Sequence, residues 1–571
     1  MRQIIIGIPL FFLLLFILYL FTPHLSKQTR PESFFNQDVL ALVTQYDLAE
    51  RIDSFRLSRL GKAIENIDYI QIAKDTEFDF IDLGTIIYVE QELKKLISDP
   101  LLAELFGKEL TIALFPFADH KASTIRQQLL ENIIILSRPI HSARLLDISS
   151  NLVPTLRNST SSSYGKYIIK RISMNHQQVI AASRVNDLLL FSYNERLLRS
   201  CLDTYDDKEA QITNKKWYQE FQNDFKHASL SGYVNLQKLV ANTTELVNQT
   251  NHPLKDFILT ELIRLQGFET IFFGFWQQKD RIFDKTLITF DKEKIREEFK
   301  ELTKIEPGYT DSYHYISADT IWYYWTNGIQ PSSMYKHFRQ EHDSAEGGLF
   351  SELSTVIALE PEEFLSLFDN DFTLAVKNIA DYQFVPAPRL MLAVKLHDIA
   401  ATKAAIDTLL DYYDIPVRTQ TVKNVELTSL GGIISDGEIV PSFAIFKDYL
   451  IVASNIEQIK EFIAGPEMIP SLRSSKYFND INTGLTQRNN SIGYLQFAEI
   501  SSMLKELINW GGTIIGIQDR EAARKTKVVI DQLINPLLDG FAMYSQIGTR
   551  RYTENNIIYI ESTTLIDELN Q

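Results

Sequence analysis

The first clear pattern in the chain is an uncharged run near its N-terminus. Residues 4–21 carry no charged side chain, and residues 22–25 lengthen the run enough to span a hydrocarbon core of about 30 Å as a helix. The run ends without a small-x-small cleavage motif, so an uncleaved signal anchor is favoured over a cleaved signal peptide. A short head, residues 1–3, and a single span predict that the C-terminal part lies outside the cytoplasm.

Beyond this run, a strand-then-helix pattern recurs at a nearly constant distance. Residues 187–194 have the pattern of a buried strand ending in Asn, a favoured helix N-cap, and residues 195–202 that of a helix. The same pattern returns at residues 448–455 and 456–463. Further pairs in the same order, at offsets between 260 and 262, are residues 105–111 with 367–373, 216–218 with 476–478, and 232–236 with 493–497. The outer part is therefore predicted to be a duplication.

The predicted fold class is α+β: one N-terminal transmembrane helix followed by two tandem repeats of a mainly antiparallel sheet-and-helix domain. Locally paired strands with helices inserted between hairpins favour an antiparallel sheet over a doubly wound parallel one. The predicted segments are a cytoplasmic head (1–3), the anchor (4–25), a linker (26–34), repeat 1 (35–291), a charged helical connector (292–306), repeat 2 (307–566) and a tail (567–571). In repeat 2, strands are predicted at residues 372–376, 390–396 and 422–430, a hairpin at 442–453, and helices at 400–412 and 456–463.

Several of these segments together resemble a known family. They are residues 37–39 and 318–320, 105–109, 164–167, 187–194 and 232–235. With them the chain resembles a bacterial family known only as a domain of unknown function, over most of residues 35–290 and more loosely over 307–566. The resemblance implies a membrane-anchored envelope protein with a large outer α+β region and no assigned catalytic residues. Residues 369–371 depart from the pattern of the first repeat.

Composition and charge narrow the choice of function. Of 571 residues, 57 are Lys or Arg and 73 are Asp or Glu, and a net charge of −16 argues against a nucleic-acid partner, whose phosphates need a basic face. Cys201 is the single cysteine, which excludes an internal disulfide. Because Cys201 shares a helical face with Leu198 and Leu202, it is interpreted as a small core residue rather than a nucleophile.

The sequence offers no convincing catalytic or cofactor motif. The densest histidine group is His314, His337 and His342. His337 and His342 are five residues apart, so on a helix their imidazoles diverge instead of sharing a metal. Ser-x-x-Lys occurs at residues 163–166, 333–336 and 502–505, but the companion motifs of penicillin-binding enzymes are missing. Phosphate-binding glycine motifs are also missing. We expect no metal and no cofactor.

The most unusual sequence feature is an aromatic cluster at residues 322–325. In a strand, Trp322 and Tyr324 face one side and Tyr323 and Trp325 face the other. Such a strand either lies inside a core on both faces or presents one face to a ligand or partner. These four residues are therefore the candidate ligand or partner surface.

Together these patterns predict a single-pass protein of the bacterial inner membrane with a periplasmic C-terminal region. The leading hypothesis is a non-catalytic binding or scaffold protein, held in the membrane by residues 4–25 and contacting an envelope protein. One alternative is a protein that binds or transfers an apolar ligand or lipid. A second is an envelope hydrolase, for which Ser333 and Ser502 are the best candidates.

Overall fold

A computed structural model describes residues 29–77, 88, 100–117, 125–141, 143, 159–175, 178–249, 253–341, 349–379, 386–431 and 440–567. These residues belong to two compact units. Unit 1 takes its residues from Met1–Leu57, Gly84–Trp276 and Thr286–Lys294, and unit 2 from Ser58–Leu83, Gln277–Lys285 and Ile295–Gln571. The predicted anchor, residues 4–25, lies outside the described residues. Within the described part of the chain, no helix has both the length and the apolar character needed to cross a bilayer.

Both units combine antiparallel hairpins with helices inserted between them, as in an α+β protein. The first ten strands are β1 (Ala41–Tyr46), β2 (Glu109–Leu114), β3 (Ile133–Arg138), β4 (Ser159–Tyr164), β5 (Tyr167–Asn175), β6 (Gln178–Val185), β7 (Leu188–Ser192), β8 (Leu230–Asn235), β9 (Phe268–Gln278) and β10 (Arg281–Phe290). The next ten are β11 (Thr320–Thr326), β12 (Phe368–Ile379), β13 (Pro388–Leu396), β14 (Val417–Val422), β15 (Val425–Leu430), β16 (Ser442–Phe446), β17 (Tyr449–Ala453), β18 (Ser491–Gln496), β19 (Tyr544–Glu554) and β20 (Ile557–Ile566).

The described helices are mostly short. The nine described helices before residue 294 are α1 (Leu48–Leu57), α2 (Arg59–Asn66), α3 (Tyr69–Asp75), α4 (Pro100–Phe106), α5 (Ile125–Glu131), α6 (Glu195–Asp206), α7 (Lys216–Asp224), α8 (Leu236–Asn248) and α9 (Lys255–Arg264). The later ones are α10 (Glu297–Lys304), α11 (Ser312–Tyr315), α12 (Pro331–Glu341), α13 (Leu349–Ile357), α14 (Pro361–Leu365), α15 (Ile399–Tyr412), α16 (Ile456–Ala464), α17 (Lys476–Asp480), α18 (Phe497–Gln518), α19 (Arg520–Val529) and α20 (Asn535–Phe541). A π-helical turn, Ile530–Ile534, joins α19 to α20.

Each unit contains a large antiparallel sheet. In unit 1 the strands lie in the order β4-β5-β6-β7-β3-β2-β1-β8-β9, followed by the unit-1 part of β10. In unit 2 the order is β14-β15-β16-β17-β13-β12-β11-β18-β19-β20. The two orders are the same when each strand of unit 2 is matched to the strand ten places earlier.

The short segment that follows the predicted anchor is fixed to one end of the unit 1 sheet. The backbone N–H of Thr29 donates to Oδ1 of Asp187 at 3.1 Å, and Nη2 of Arg138 donates to the Thr29 carbonyl at 2.7 Å. Arg138 ends β3 and pairs across the sheet with Glu109, which lies opposite Tyr46. Thr29 therefore lies at the end of the sheet where β2 begins and β1 ends.

Two helices from the early part of the chain belong to unit 2. α2 and α3 pack against α20 and α19, and a Cβ added to Gly540 of α20 would lie 2.9 Å from the Cα of Leu60 and 3.0 Å from the Cβ of Ala63. Lys525 of α19 pairs with Glu77 at 2.8 Å. Close helix contact at small residues thus joins segments more than 450 positions apart in the sequence.

The core of unit 2 is built on one face of its sheet. Tyr323 and Trp325 of β11 and Tyr494 of β18 are buried in a cluster with Phe478 of α17 and Ile459 of α16. The helix that carries Ile459 begins as the sequence predicts, because the side chain of Asn455 accepts a hydrogen bond from the N–H of Glu457. Its counterpart Asn194 caps α6 in the same way.

The structure corrects three sequence predictions. Residues 422–430 do not form one strand: Lys423 and Asn424 have φ of 49° and 65°, and this turn makes β14 and β15 a hairpin. The connector at 292–306 is helical only over Glu297–Lys304. The serine-rich composition around Ser163 predicts a loop, but Ser163 lies in β4, because this segment pairs with β5.

Candidate functional site

The aromatic cluster forms the central strand of the unit 2 sheet. β11 lies between β12 and β18, with Tyr323 opposite Ala375 on one side and Tyr494 on the other. Tyr323 and Trp325 are 0% and 1% exposed, whereas Trp322 and Tyr324 are 41% and 37% exposed. The alternation expected of a strand therefore separates the four residues into a buried pair and an exposed pair.

The buried pair is held by polar contacts as well as by packing. The hydroxyl groups of Tyr323 and Ser312 lie 2.7 Å apart, and Nε1 of Trp325 donates to Oδ1 of Asp371 at 2.9 Å. Burial raises the pKa values of both Tyr323 and Asp371 above their ordinary values, although the hydrogen bond from Trp325 opposes the shift at Asp371. These two aromatic side chains are structural, and no ligand can reach them without opening the core.

The exposed pair continues into an apolar row across four strands. Tyr324 lies opposite Leu374, Leu374 opposite Leu392, and Leu392 opposite Val452. We call these four residues the apolar row. Leu392 and Val452 are 40% and 41% exposed, so together with Tyr324 they form neighbouring exposed apolar side chains on one face, and contiguous apolar patches of this kind mark interaction surfaces.

One end of the apolar row leads to a cavity. Val452 lies opposite Phe443 of β16, and Phe443 lines a cavity of about 340 Å³ between α15 and strands β14–β16. The side chains of Ile406 and Leu410 of α15 form its apolar wall. The cavity has the size of a small-molecule site and joins the apolar row at Phe443. Trp322 does not line it.

Unit 1 has a corresponding row at the same sheet positions. Val43 lies opposite Ile112, Ile112 opposite Ile135, and Ile135 opposite Phe191. Ile112 is exposed, but Phe191 is packed beside Phe106 of α4 with ring centroids 5.8 Å apart. The row in unit 1 is therefore partly covered by the unit's own helix.

The other candidates from the sequence lie apart from this surface. Cys201 is buried in α6, and burial raises the pKa of its thiol, which disfavours the thiolate. Lys166 and Lys505, of two Ser-x-x-Lys motifs, bond Asp206 and Asp539 rather than their serines. No group of metal-ligating side chains occurs among the described residues, and His342 lies outside them.

Sequence reasoning missed Leu392 and Val452. The alternating pattern of residues 390–396 indicated a half-buried strand, and it correctly predicted that one face of β13 would be polar or exposed. It could not reveal which strands lie beside β13, because Leu392 and Val452 are 60 positions apart and their pairing depends on the register of β17.

Comparison with known proteins identifies the family. The model of the family described as Protein of unknown function (DUF3352) matches residues 104–514, so the chain belongs to that family. Structural similarity is found to crystal forms of TP0453: form I has a TM-score of 0.24 and 10% sequence identity and covers 48% of this chain and 82% of that chain. Form III has a TM-score of 0.24 and 8% sequence identity, and the match covers 50% of this chain and 89% of that chain. These scores are too low to support an argument. The chain has no match among the curated proteins.

Proposed function

We propose that the chain is a single-pass membrane-anchored extracytoplasmic protein of the bacterial envelope that binds a partner and catalyses no reaction. The apolar row of unit 2 is the proposed contact surface. The observation that carries the proposal is the exposure of Tyr324, Leu392 and Val452 on the open face of a sheet whose opposite face forms a closed core.

The dimensions of the apolar row suit a protein contact. Neighbouring strands are about 4.8 Å apart, so four strands extend the row over about 14 Å. Met503 of α18 packs on Val376, beside the row, but leaves Leu392 and Val452 exposed. A partner that covered these side chains would gain roughly 25 cal/mol for each Å² of apolar surface removed from water.

The single buried cysteine makes a direct test possible. Since Cys201 is buried, Leu392→Cys adds one accessible thiol to the apolar row, and Met468→Cys adds a control thiol at a 70% exposed site away from it. A membrane-impermeant maleimide is applied to spheroplasts that carry each full-length variant, and then to the detergent-purified proteins. We expect Met468→Cys to react equally fast in both, and Leu392→Cys to react at least several-fold more slowly in spheroplasts.

The location and the covered surface are each contradicted by a different result. If Met468→Cys is labelled only after the cells are lysed, the extracytoplasmic location is wrong. If purification changes the maleimide labelling rates of Leu392→Cys and Met468→Cys by the same factor, nothing covers the apolar row in the cell. Removal of residues 4–25 tests the anchor, because the shortened chain is expected in the soluble fraction.

A second candidate function is the binding of an apolar ligand, favoured by the cavity beside Phe443. Ile406, Leu410 and Phe443 supply apolar walls, and Lys403 lies 3.7 Å from Glu426 at its edge. The fluorescent fatty acid cis-parinaric acid is a suitable probe. Ile406→Trp would fill the cavity and is expected to weaken binding at least tenfold, whereas Met468→Ser leaves it unchanged. Equal binding by both variants would argue against the cavity.

We also propose that the two units arose by duplication. The equal strand orders support this, as do the paired helix caps at Asn194 and Asn455, 261 residues apart. A duplicated binding unit explains why both sheets carry an apolar row at corresponding positions.

A further inference from the structure

The cavity between α15 and strands β14–β16 is left open because α15 packs through another stripe of its surface. Thr402 and Ala405 of α15 are 1% and 5% exposed. At 100° per residue, Ile406 and Leu410, which line the cavity, lie roughly 90° around the helix axis from that buried pair. We call this cavity of about 340 Å³ the α15 cavity. The packing of α15 therefore leaves two aliphatic side chains beside open space.

The lining of the α15 cavity is divided almost equally between apolar and polar residues. Of the eleven described residues that line it, six are apolar. The other five are polar or charged: Lys403, Asp407, Thr419, Glu426 and Thr428. A wholly apolar ligand would remove water from these polar groups without replacing their hydrogen bonds, which is unfavourable. The lining therefore suits an amphiphile, which has an alkyl chain and a polar head.

Thr428 is a polar group of the lining that lacks a partner within the fold. It is 8% exposed, yet its side-chain hydroxyl makes no hydrogen bond to any described residue. Such a buried hydroxyl is unfavourable unless water or a ligand completes its hydrogen bond. Thr419, which also lines the cavity, lies opposite Thr428 in the β14–β15 hairpin. Two neighbouring hydroxyls are therefore available to the head of a ligand.

The charged residues of the lining leave one negative charge unbalanced. Nζ of Lys403 lies 3.7 Å from Oε2 of Glu426, so these two charges offset each other. Asp407, one helical turn from Lys403, forms no ion pair with a described residue. A cation in the cavity would be attracted by Asp407, whereas an anion would be repelled. The net charge of −16 on the whole chain favours a cation in the same way.

We propose that the α15 cavity binds a single-chain amphiphile with an ammonium head. The alkyl chain contacts Ile406, Leu410 and Phe443, which belong to the apolar part of the lining. An ammonium group has only hydrogen-bond donors, and the Asp407 carboxylate and the Thr428 hydroxyl are acceptors in the same lining. The inference rests on the second candidate function, an apolar ligand in this cavity, and adds the class of its head group.

Protection of a thiol placed in the lining tests this proposal. Val417→Cys introduces an accessible thiol at a 43% exposed lining position, and Met468→Cys is the control outside the cavity. Each full-length variant, in phosphatidylcholine nanodiscs at neutral pH, is labelled with N-ethylmaleimide in the presence of octylammonium, octanoate or octanol. We expect octylammonium to slow the labelling of Val417→Cys at a concentration at least about fivefold lower than octanoate requires. The labelling of Met468→Cys is expected to stay unchanged.

Two further substitutions with opposite effects test the role of charge in the Val417→Cys background. Asp407→Asn leaves the lining neutral and is expected to reduce the preference for octylammonium to less than about twofold. Lys403→Met leaves the charges of Asp407 and Glu426 unbalanced and is expected to increase that preference. Asp411→Asn is the matched control, because it removes the same charge from α15 at a position outside the lining, and the preference should stay unchanged.

Other results overturn the proposal in distinguishable ways. If none of the three compounds protects Val417→Cys, the cavity binds no alkyl ligand, and the second candidate function fails together with the inference. If octanoate and octanol protect as well as octylammonium, the cavity binds an alkyl chain but the ammonium head is wrong. A preference that survives Asp407→Asn, or equal protection of Met468→Cys, also contradicts the inference.

Discussion

Trp325 and Asp371 are joined by a 2.9 Å hydrogen bond at the core of unit 2. Trp325 is 1% exposed, and a buried indole N–H without a partner would be costly. The pairing of β11 with β12 and β18 sets the direction in which its aromatic side chains point, and this bond stabilises Trp325 on the core side. The opposite face, with Trp322 and Tyr324, remains available for a partner.

Trp325→Phe is expected to lower the free energy of unfolding by about 1–3 kcal/mol, because it removes the donor and leaves the buried Asp371 carboxyl with one hydrogen bond fewer. Urea denaturation followed by near-ultraviolet circular dichroism measures the change. Trp322→Phe is the matched control on the exposed face and is expected to stay within about 0.5 kcal/mol of the parent. Equal effects of the two changes would contradict the assignment of faces.

Asp371→Asn is expected to gain stability relative to the parent chain as the pH rises. Burial raises the pKa of the folded Asp371 carboxyl above its ordinary value of 3.8, so the folded state holds the proton more tightly than the unfolded state. The carboxyl therefore opposes folding increasingly as the pH rises from the ordinary pKa through the raised one. Asn does not titrate and its amide oxygen still accepts from Trp325. Urea midpoints at pH 4 and pH 8 test this, and a constant difference would contradict it.

Gly540→Ala and Gly511→Ala are expected to change stability in opposite directions. Both glycines are in helices, where alanine is favoured by about 1 kcal/mol. At Gly540 the new Cβ would lie 2.9 Å from Leu60, and overpacking costs about 1–3 kcal/mol. At Gly511 the added Cβ meets open space among the described residues, so only the stabilisation from the higher helix propensity of alanine remains. Thermal unfolding of the two variants measures the contrast.

Lys377→Met is expected to destabilise unit 2 by roughly 1–3 kcal/mol at pH 7, because it leaves the two carboxylates paired with Lys377 without this donor. The Lys377 ammonium is 6% exposed and lies 2.8 Å from Asp319 and 2.5 Å from Glu461. Burial opposes ionisation of Asp319, but the hydrogen bonds from Lys377 and Ser317 and the positive charge of Lys377 together outweigh it and lower the pKa of this carboxyl below 3.8. That stability is present above pH 3.8 and is lost as the pH falls through the lowered pKa. The difference between variant and parent should therefore shrink below pH 3.8, as denaturant titrations can show.

The sequence was sufficient for the local structure and insufficient for long-range contacts. Residues 322–325 alternate as the strand pattern predicts, and Asn455 caps its helix as predicted. The buried face of β11 was not predictable, since it depends on helices more than 130 residues later that pack against it. The hairpin at 417–430 was missed because Lys423-Asn424 supplies positive φ without a glycine. Nothing in α2 indicated that it packs on Gly540.

The contact between α2 and α20 has a consequence for synthesis of the chain. Leu60 and Ala63 leave the ribosome long before Gly540 exists. The end of α3 at Asp75 precedes the end of α20 at Phe541 by 541 − 75 = 466 positions. At about 5–20 residues per second, translation of that interval takes roughly 25 to 90 s. During this time the apolar stripe of α2 has no native partner. Unit 2 can thus complete its folding only near the end of translation, and the early helices need temporary protection from aggregation until then.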